Sequence, residues 1–242
     1  MISYEKYYTQ SLYPFQDGIL RIVKQSGAPF YLSGGTALSR AYYNKRFSDD
    51  LDLFINNSEK FDEYSQTLFS ALEINQKADN YKINFSSVKK FTDYMQLFCI
   101  RNIDDKEITL KIDIINDVEA RFGEFLYNET LGKVDSLRNI LSNKISAITR
   151  LEAKDLADIW IIAKNKKIYW PDILNEAKQK EAGIDPIAIV NILKSAPVNV
   201  FDSIKWSENI DHKQVYDDIQ KIAGDILSGS ENSLSHDRDE II

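Results

Sequence analysis

The sequence is poor in the residues that anchor several common architectures. It has one cysteine, Cys99, among 242 residues. No internal disulfide framework can form, and the chain suits a reducing cytoplasm. A lone cysteine of this kind reads as a small buried hydrophobe rather than a nucleophile. Two histidines, His212 and His236, lie near the C-terminal end, which argues against a histidine metal centre or a histidine-based triad. No stretch of 18 apolar residues is present, so no membrane span is expected. The opening MISYEKYYTQ carries acids and tyrosines without an apolar core and does not read as a signal peptide. Positive charge is also short. The net charge of −7 argues against binding nucleic acid over the whole surface, though not against a local basic cleft. What is present is ordinary for a soluble globular chain: 43% hydrophobic and 28% charged residues, enough for one large domain or two modest ones.

Hydrophobic spacing predicts a helix over 16–26 ending at Gly27, then a short strand over 30–33 that runs into Gly34-Gly35. A helix over 37–44 opened by Thr36, a strand over 49–55 and a helix over 59–74 follow, the last with Phe61, Leu68, Phe69 and Leu72 facing a core. Three more strands are expected over 81–88, 93–101 and 107–115. Beyond about residue 136 the segments NILSNKISAITRL, AKDLADIWIIAKN, WPDILNEAKQK, DPIAIVNILKS and DHKQVYDDIQKIAGDIL all read as helices. Trp170-Pro171 and Asp185-Pro186 mark two helix starts. The expected fold class is α+β: a mixed sheet flanked by helices over 1–136, an all-helical region over 137–227, and a polar, serine-rich tail over 228–242 that reads as disordered.

Chemistry concentrates on two strands. In DDLDLFI (49–55) alternation puts Leu51, Leu53 and Ile55 on one face and Asp50, Asp52 and Phe54 on the other. Two carboxylates roughly 6–7 Å apart along a strand repel unless a cation lies between them. In ITLKIDII (108–115) Ile108, Leu110, Ile112 and Ile114 face a core, while Thr109, Lys111 and Asp113 share the opposite face. If both strands lie in one sheet, Asp50, Asp52 and Asp113 form a cluster suited to Mg²⁺ or Mn²⁺ and to two-metal phosphoryl transfer. Gly34 and Gly35 sit at a strand-to-helix turn, where backbone N–H groups can approach phosphate oxygens. The glycines then take phosphates, and the acids take the metals that bridge to them.

The block GGTALSRAY (34–42) with RFSDDLDLF (46–54) closely resembles the nucleotidyltransferases of the AbiEii/AbiGii toxin group, relatives of DNA polymerase β. KIDI (111–114), SNKISAITR (142–150) and AKDLADI (153–159) extend the resemblance over about residues 30–165. The resemblance implies a nucleotidyltransferase fold and metal-dependent transfer of a nucleoside monophosphate from an NTP, with tRNA 3′ ends as an acceptor in several members. It also implies a toxin restrained by a separately encoded antitoxin, or an abortive-infection system. By position, Gly34 and Gly35 match the glycine motif with Thr36 as helper, Asp50 and Asp52 the metal-binding pair, Lys144 the lysine of the third motif, and Asp155 the acid of the Lys-Asp motif. Relatives in the wider superfamily often carry Gly-Ser where this chain has Gly34-Gly35, so phosphate contact here is expected from backbone. The third carboxylate is less uniform in the AbiEii group, and Asp113 as a ligand rests on the strand pattern.

Arg46 is an additional candidate for phosphate contact, and Lys144 for charge neutralisation. On one straight helix over 139–163, Lys144 and Asp155 would lie about 16 Å apart. The sequence therefore predicts a break near Arg150–Ala153, with two helices whose ends converge on the cleft; Asp158, one turn on, could take the role of Asp155. Residues 138–180 hold nine Lys/Arg against five Asp/Glu, a local positive excess that could seat an RNA or be an ordinary solvated surface. Two other readings stay open: transfer to a protein acceptor or to the enzyme itself, and a non-catalytic nucleotide-binding module regulated by a partner.

Overall fold

The computed structural model describes residues 4–235, 240 and 241. It divides into two units, one holding the residues up to 118 with 125–135, the other 119–124 and the chain from 136 onward.

The first unit begins with α1 (Tyr4–Tyr7), which passes through a π-helical stretch, Tyr8–Leu12, into α2 (Tyr13–Ser26). Helix therefore starts well before residue 16, where the apolar spacing begins. The extra turns are anchored by Tyr8 and Leu12, both buried, and tyrosine is a weak signal of core position. Phe15, Ile19, Leu20, Ile22 and Val23 form the inner stripe of α2, and Gly27 ends it at φ 73°, as the sequence indicates. The remaining elements are β1 (Tyr31–Ser33), α3 (Gly34–Ala37) continued by a π-helical Leu38–Tyr42, β2 (Leu51–Asn56), α4 (Phe61–Asn75), β3 (Lys82–Ile83), β4 (Lys89–Phe91), β5 (Tyr94–Ile103), β6 (Lys106–Asp117), β7 (Leu126–Asn128) and β8 (Gly132–Val134).

The sheet has the order β3-β5-β6-β2-β1-β8-β7, with β4 paired to β5 beyond that path. β2 is central, antiparallel to β1 and parallel to β6. Leu51 and Leu53 lie opposite Ile112 and Ile114, and all four are buried. Each such side chain contributes roughly 1.5–3 kcal/mol by leaving water. Cys99 lies opposite Leu110 in the same interior, and burial pushes its thiol up to about 12, which suits the packing role read from the sequence. The strand expected over 81–88 shrinks to β3, followed by a 3-10 turn at Phe85–Ser87. β7 and β8, three residues each, are too short to show alternation.

The second unit holds α5 (Leu137–Ser146), a 3-10 turn at Ile148–Arg150, α6 (Ala153–Asn165), α7 (Trp170–Lys180), α8 (Pro186–Ser195), a 3-10 turn at Val198–Ser203 and α9 (His212–Ser228). Ser136, Asp185 and Asp211 cap their helices by accepting backbone N–H groups. Pro171 and Pro186 fall in the first turns of α7 and α8. Ile140, Ile159, Trp170, Leu193, Phe201, Ile219 and Ile222 are buried.

The end of the chain differs from the disordered tail expected over 228–242. Residues 229–235 fold back on the second unit. Asn232 donates to the Ala163 and Lys166 carbonyls, which the end of α6 leaves without helical partners. Leu234 and Ile241 are buried. Serine-rich composition hid three anchoring residues; residues 236–239 and 242 lie outside the described set. Among the described residues no helix is long and apolar enough to cross a membrane.

Candidate active site

One polar row crosses four strands of the first unit. Ser33 on β1 is paired with Asp52 on β2, Asp52 with Asp113 on β6, and Asp113 with Gln96 on β5. Registered partners share a sheet face, so Asp52 and Asp113 are aligned, while Asp50 precedes β2. Ser33 continues the row by donating to Asp135 at 2.7 Å, and Asp135 is fully buried.

The glycine turn closes over this row. Gly34 has φ 67°, a conformation that side chains resist. A Cβ placed on Gly34 would overlap the Asp52 carboxylate, and one on Gly35 would overlap the Arg46 guanidinium. The two glycines are thus required by close approach on both sides. Thr36 donates its hydroxyl to the Asp50 carbonyl, tying the turn to the start of β2. Arg46 is buried and donates to the Phe47 carbonyl at 3.0 Å, so its charge lies against the turn from within. The segment entering β2 is clamped from α2 and the π-helical stretch before it: Gln16 donates to the Ser48 and Asp49 carbonyls, Tyr8 donates to the Asp49 carboxylate, and the Tyr8 ring stacks on Phe47 at 4.3 Å.

Asp113 is 8% exposed and both oxygens of its carboxylate accept hydrogen bonds. Tyr94 and Gln96 donate to Oδ1 at 2.8 and 3.1 Å, and Lys111 donates to Oδ2 at 2.6 Å. Burial and the adjoining Asp113 hold the Tyr94 phenol well above its ordinary range. Burial alone would lower the Lys111 ammonium; the bond to Asp113 and the fields of Asp113, Asp50 and Asp52 more than offset it and raise it. All three acids therefore act on one lysine. A neutral Lys111 is disfavoured at any physiological pH.

In the second unit, α5 stops at Ser146 and α6 starts at Ala153. Between them Leu151 adopts φ 56°. This is the break expected from the Lys144–Asp155 spacing. The turn carries α6 back so that Lys144 reaches Asp155 at 2.7 Å and Asp158 at 2.8 Å. Both acids engage the same ammonium, and Arg150 adds a contact to Asp155 at 3.1 Å. The positive excess over 138–180 is largely spent internally: Arg138 pairs with Glu176, Lys164 with Asp218 and Lys167 with Glu231, while Lys180 donates to Ala120 and Asn139.

Residues 19–237 match the family model described as "Nucleotidyl transferase AbiEii toxin, Type IV TA system". The chain belongs to this family. Two solved structures share the fold. A Helicobacter pylori protein assigned as a nucleotidyltransferase superposes with TM-score 0.59 at 22% identity, over 91% of this chain and 96% of its own. JHP933 from Helicobacter pylori gives TM-score 0.57 at 22% identity, over 88% and 90%. Among curated proteins there is no match.

The acid face of this AbiEii protein fits a divalent cation of a particular kind. Among the described residues no three His, Cys, Asp or Glu side chains converge into a ready-made cage. A site of one or two carboxylates completed by substrate phosphates is the ordinary manner of holding Mg²⁺, and Asp50 and Asp52 beside the Gly34 turn meet that description. Sequence reasoning put Lys111 on the Asp113 face without giving it a role, and missed Tyr94, Gln96, Ser33 and Asp135 as members of the row. Lys111 is legible because it lies two residues before Asp113 on one strand; the others depend on strand register, which no single segment encodes.

Proposed function

We propose that this AbiEii protein transfers a nucleoside monophosphate from an NTP to an RNA, with the tRNA 3′ end as acceptor, acting in the cytoplasm as a toxin held in check by a cognate antitoxin. The observation that carries the reading is the Gly34 turn lying flush against the Asp52 carboxylate. A backbone suited to phosphate oxygens and acids suited to a cation meet at one point.

The backbone N–H groups around Gly34, Gly35 and Thr36 orient the distal phosphates. Arg46, buried against Gly35, adds positive field at the turn. Asp50 and Asp52 would hold Mg²⁺ or Mn²⁺, which supplies charge neutralisation to the triphosphate when bound. Thr36 fixes the position of Asp50 through its carbonyl. The acceptor hydroxyl attacks the α-phosphorus, the bond to the β-phosphate breaks, and pyrophosphate leaves, while the hydroxyl proton passes to a carboxylate of this face.

The test is incubation with each α-labelled NTP, Mg²⁺ and total tRNA. Label in RNA, lost when Asp50→Ala and Asp52→Ala are combined, supports the reading. Label on a protein band moves the acceptor to protein. No label anywhere, with a cellular phenotype that survives the double change, assigns the chain a non-catalytic role.

A further inference from the structure

Asp52 and Asp113 on one sheet face, with Asp50 just ahead of β2, suggest two divalent ions, and the contacts of Asp113 speak against that arrangement. Asp113 accepts from Tyr94 and Gln96 on Oδ1 and from Lys111 on Oδ2. The Lys111–Asp113 pair is short, at 2.6 Å, and the Asp113 side chain is 11% exposed. A carboxylate has about four acceptor positions, and three are filled by donors set by the strands themselves. Gln96 lies directly across from Asp113, Tyr94 is two residues before it on the same face, and Lys111 is two residues before Asp113 on its own strand. A metal on Oδ2 would sit against the ammonium already bound to that oxygen, and one on Oδ1 would displace Tyr94 or Gln96.

We infer that Lys111 serves as the resident second cation of the acid face, so that Asp113 is a positioning partner for Lys111 and the site takes one divalent ion, between Asp50 and Asp52. The inference rests on the nucleotidyl-transfer reading and refines it. Asp113 faces Asp52 across the parallel pair, so an ammonium on Asp113 also borders the cation seat and the triphosphate beside it. A fixed positive charge there does what a second metal would do for the phosphates: it offsets their charge without needing to be loaded. It differs in one respect, since an ammonium on a carbon stem does not acidify a bound water as a metal does. Activation of the acceptor hydroxyl then falls to a carboxylate.

The test counts ions rather than turnover. Mn²⁺ alone is titrated into the full chain, with the free-ion electron paramagnetic resonance signal and equilibrium dialysis reporting the number bound. The unaltered protein is expected to bind one Mn²⁺. Asp52→Asn is expected to lose it and Asp113→Asn to keep it. Lys111→Met, which frees one oxygen of Asp113 beside Asp52, is expected to raise the number to two. Two ions in the unaltered protein, one of them removed by Asp113→Asn, would overturn the inference and leave the transfer reading standing. One ion in Lys111→Met would overturn it likewise. No ion bound to the unaltered protein would overturn both together, a result told apart by the indifference of every variant.

Discussion

Asp52 on β2 and Asp113 on β6 are direct partners in a parallel strand pair. Neighbouring strands lie about 4.8 Å apart, so two negative groups stand side by side in a partly buried place. The protein tolerates this because Lys111 pairs with one of them. The other lies beneath the glycine turn. Function here is held against a small electrostatic cost.

Neutralising Asp52 should therefore separate activity from stability. Asp52→Asn is expected to cost about 10²–10³-fold or more in nucleotidyl transfer, the scale for losing a major electrostatic contributor. The same change should leave the protein folded, with a cooperative thermal transition. Parallel transfer assays and thermal denaturation check both halves.

Gly34 and Gly27 make a matched pair of controls. Both have positive φ, 67° and 73°. A Cβ on Gly27 meets nothing within 4 Å, whereas one on Gly34 overlaps Asp52. Each alanine variant should lose about 1–2 kcal/mol from backbone strain. Only Gly34→Ala should also lose transfer activity, because only there does the new methyl displace the acid. Equal activities in the two variants would detach the turn from the site.

Much of this arrangement can be read from the chain itself. The alternation in DDLDLFI and ITLKIDII puts Asp52 and Asp113 on the polar faces of their strands, and the spacing between Lys144 and Asp155 demands the break that Leu151 supplies. Local pattern could not say which residues face each other across strands. Gln96 and Tyr94 come to Asp113 through the β5–β6 register, and Ser33 reaches Asp135 only because β8 pairs with β1. Asn232 was obscured by its serine-rich surroundings, since its value lies in two carbonyls some 66 to 69 residues away.

Lys144 is expected to be structural in the first instance. Its ammonium is shared by Asp155 and Asp158, both buried. Lys144→Met removes the ammonium shared by two buried acids, while Arg150 stays on Asp155. The loss should be about 3–5 kcal/mol, and adding Asp158→Asn should recover part of it. Denaturant unfolding of the single and double variants measures the recovery.

Asp218 should give the protein an acid limb in its stability. The group is buried and accepts from Trp160, Lys164, Gln214 and Lys221. Burial alone would raise its pKa; these four donors outweigh burial and hold it below the ordinary 3.8. A depressed carboxylate adds stability that is present above its unfolded value and is lost as pH falls through the folded one. Thermal midpoints should therefore drop as pH is lowered below about 4. Asp218→Asn should be less stable at neutral pH and show a shallower acid decline.

The most direct measurement is anomalous diffraction from crystals grown with Mn²⁺ and a non-hydrolysable nucleoside triphosphate. The expected map has one manganese peak within about 2.0–2.2 Å of oxygens from Asp50 and Asp52, phosphate density against Gly34 and Gly35, and Lys111 still on Asp113. A triphosphate bound away from the glycine turn, or manganese absent from Asp50 and Asp52, would contradict the assignment of this face as the transfer site.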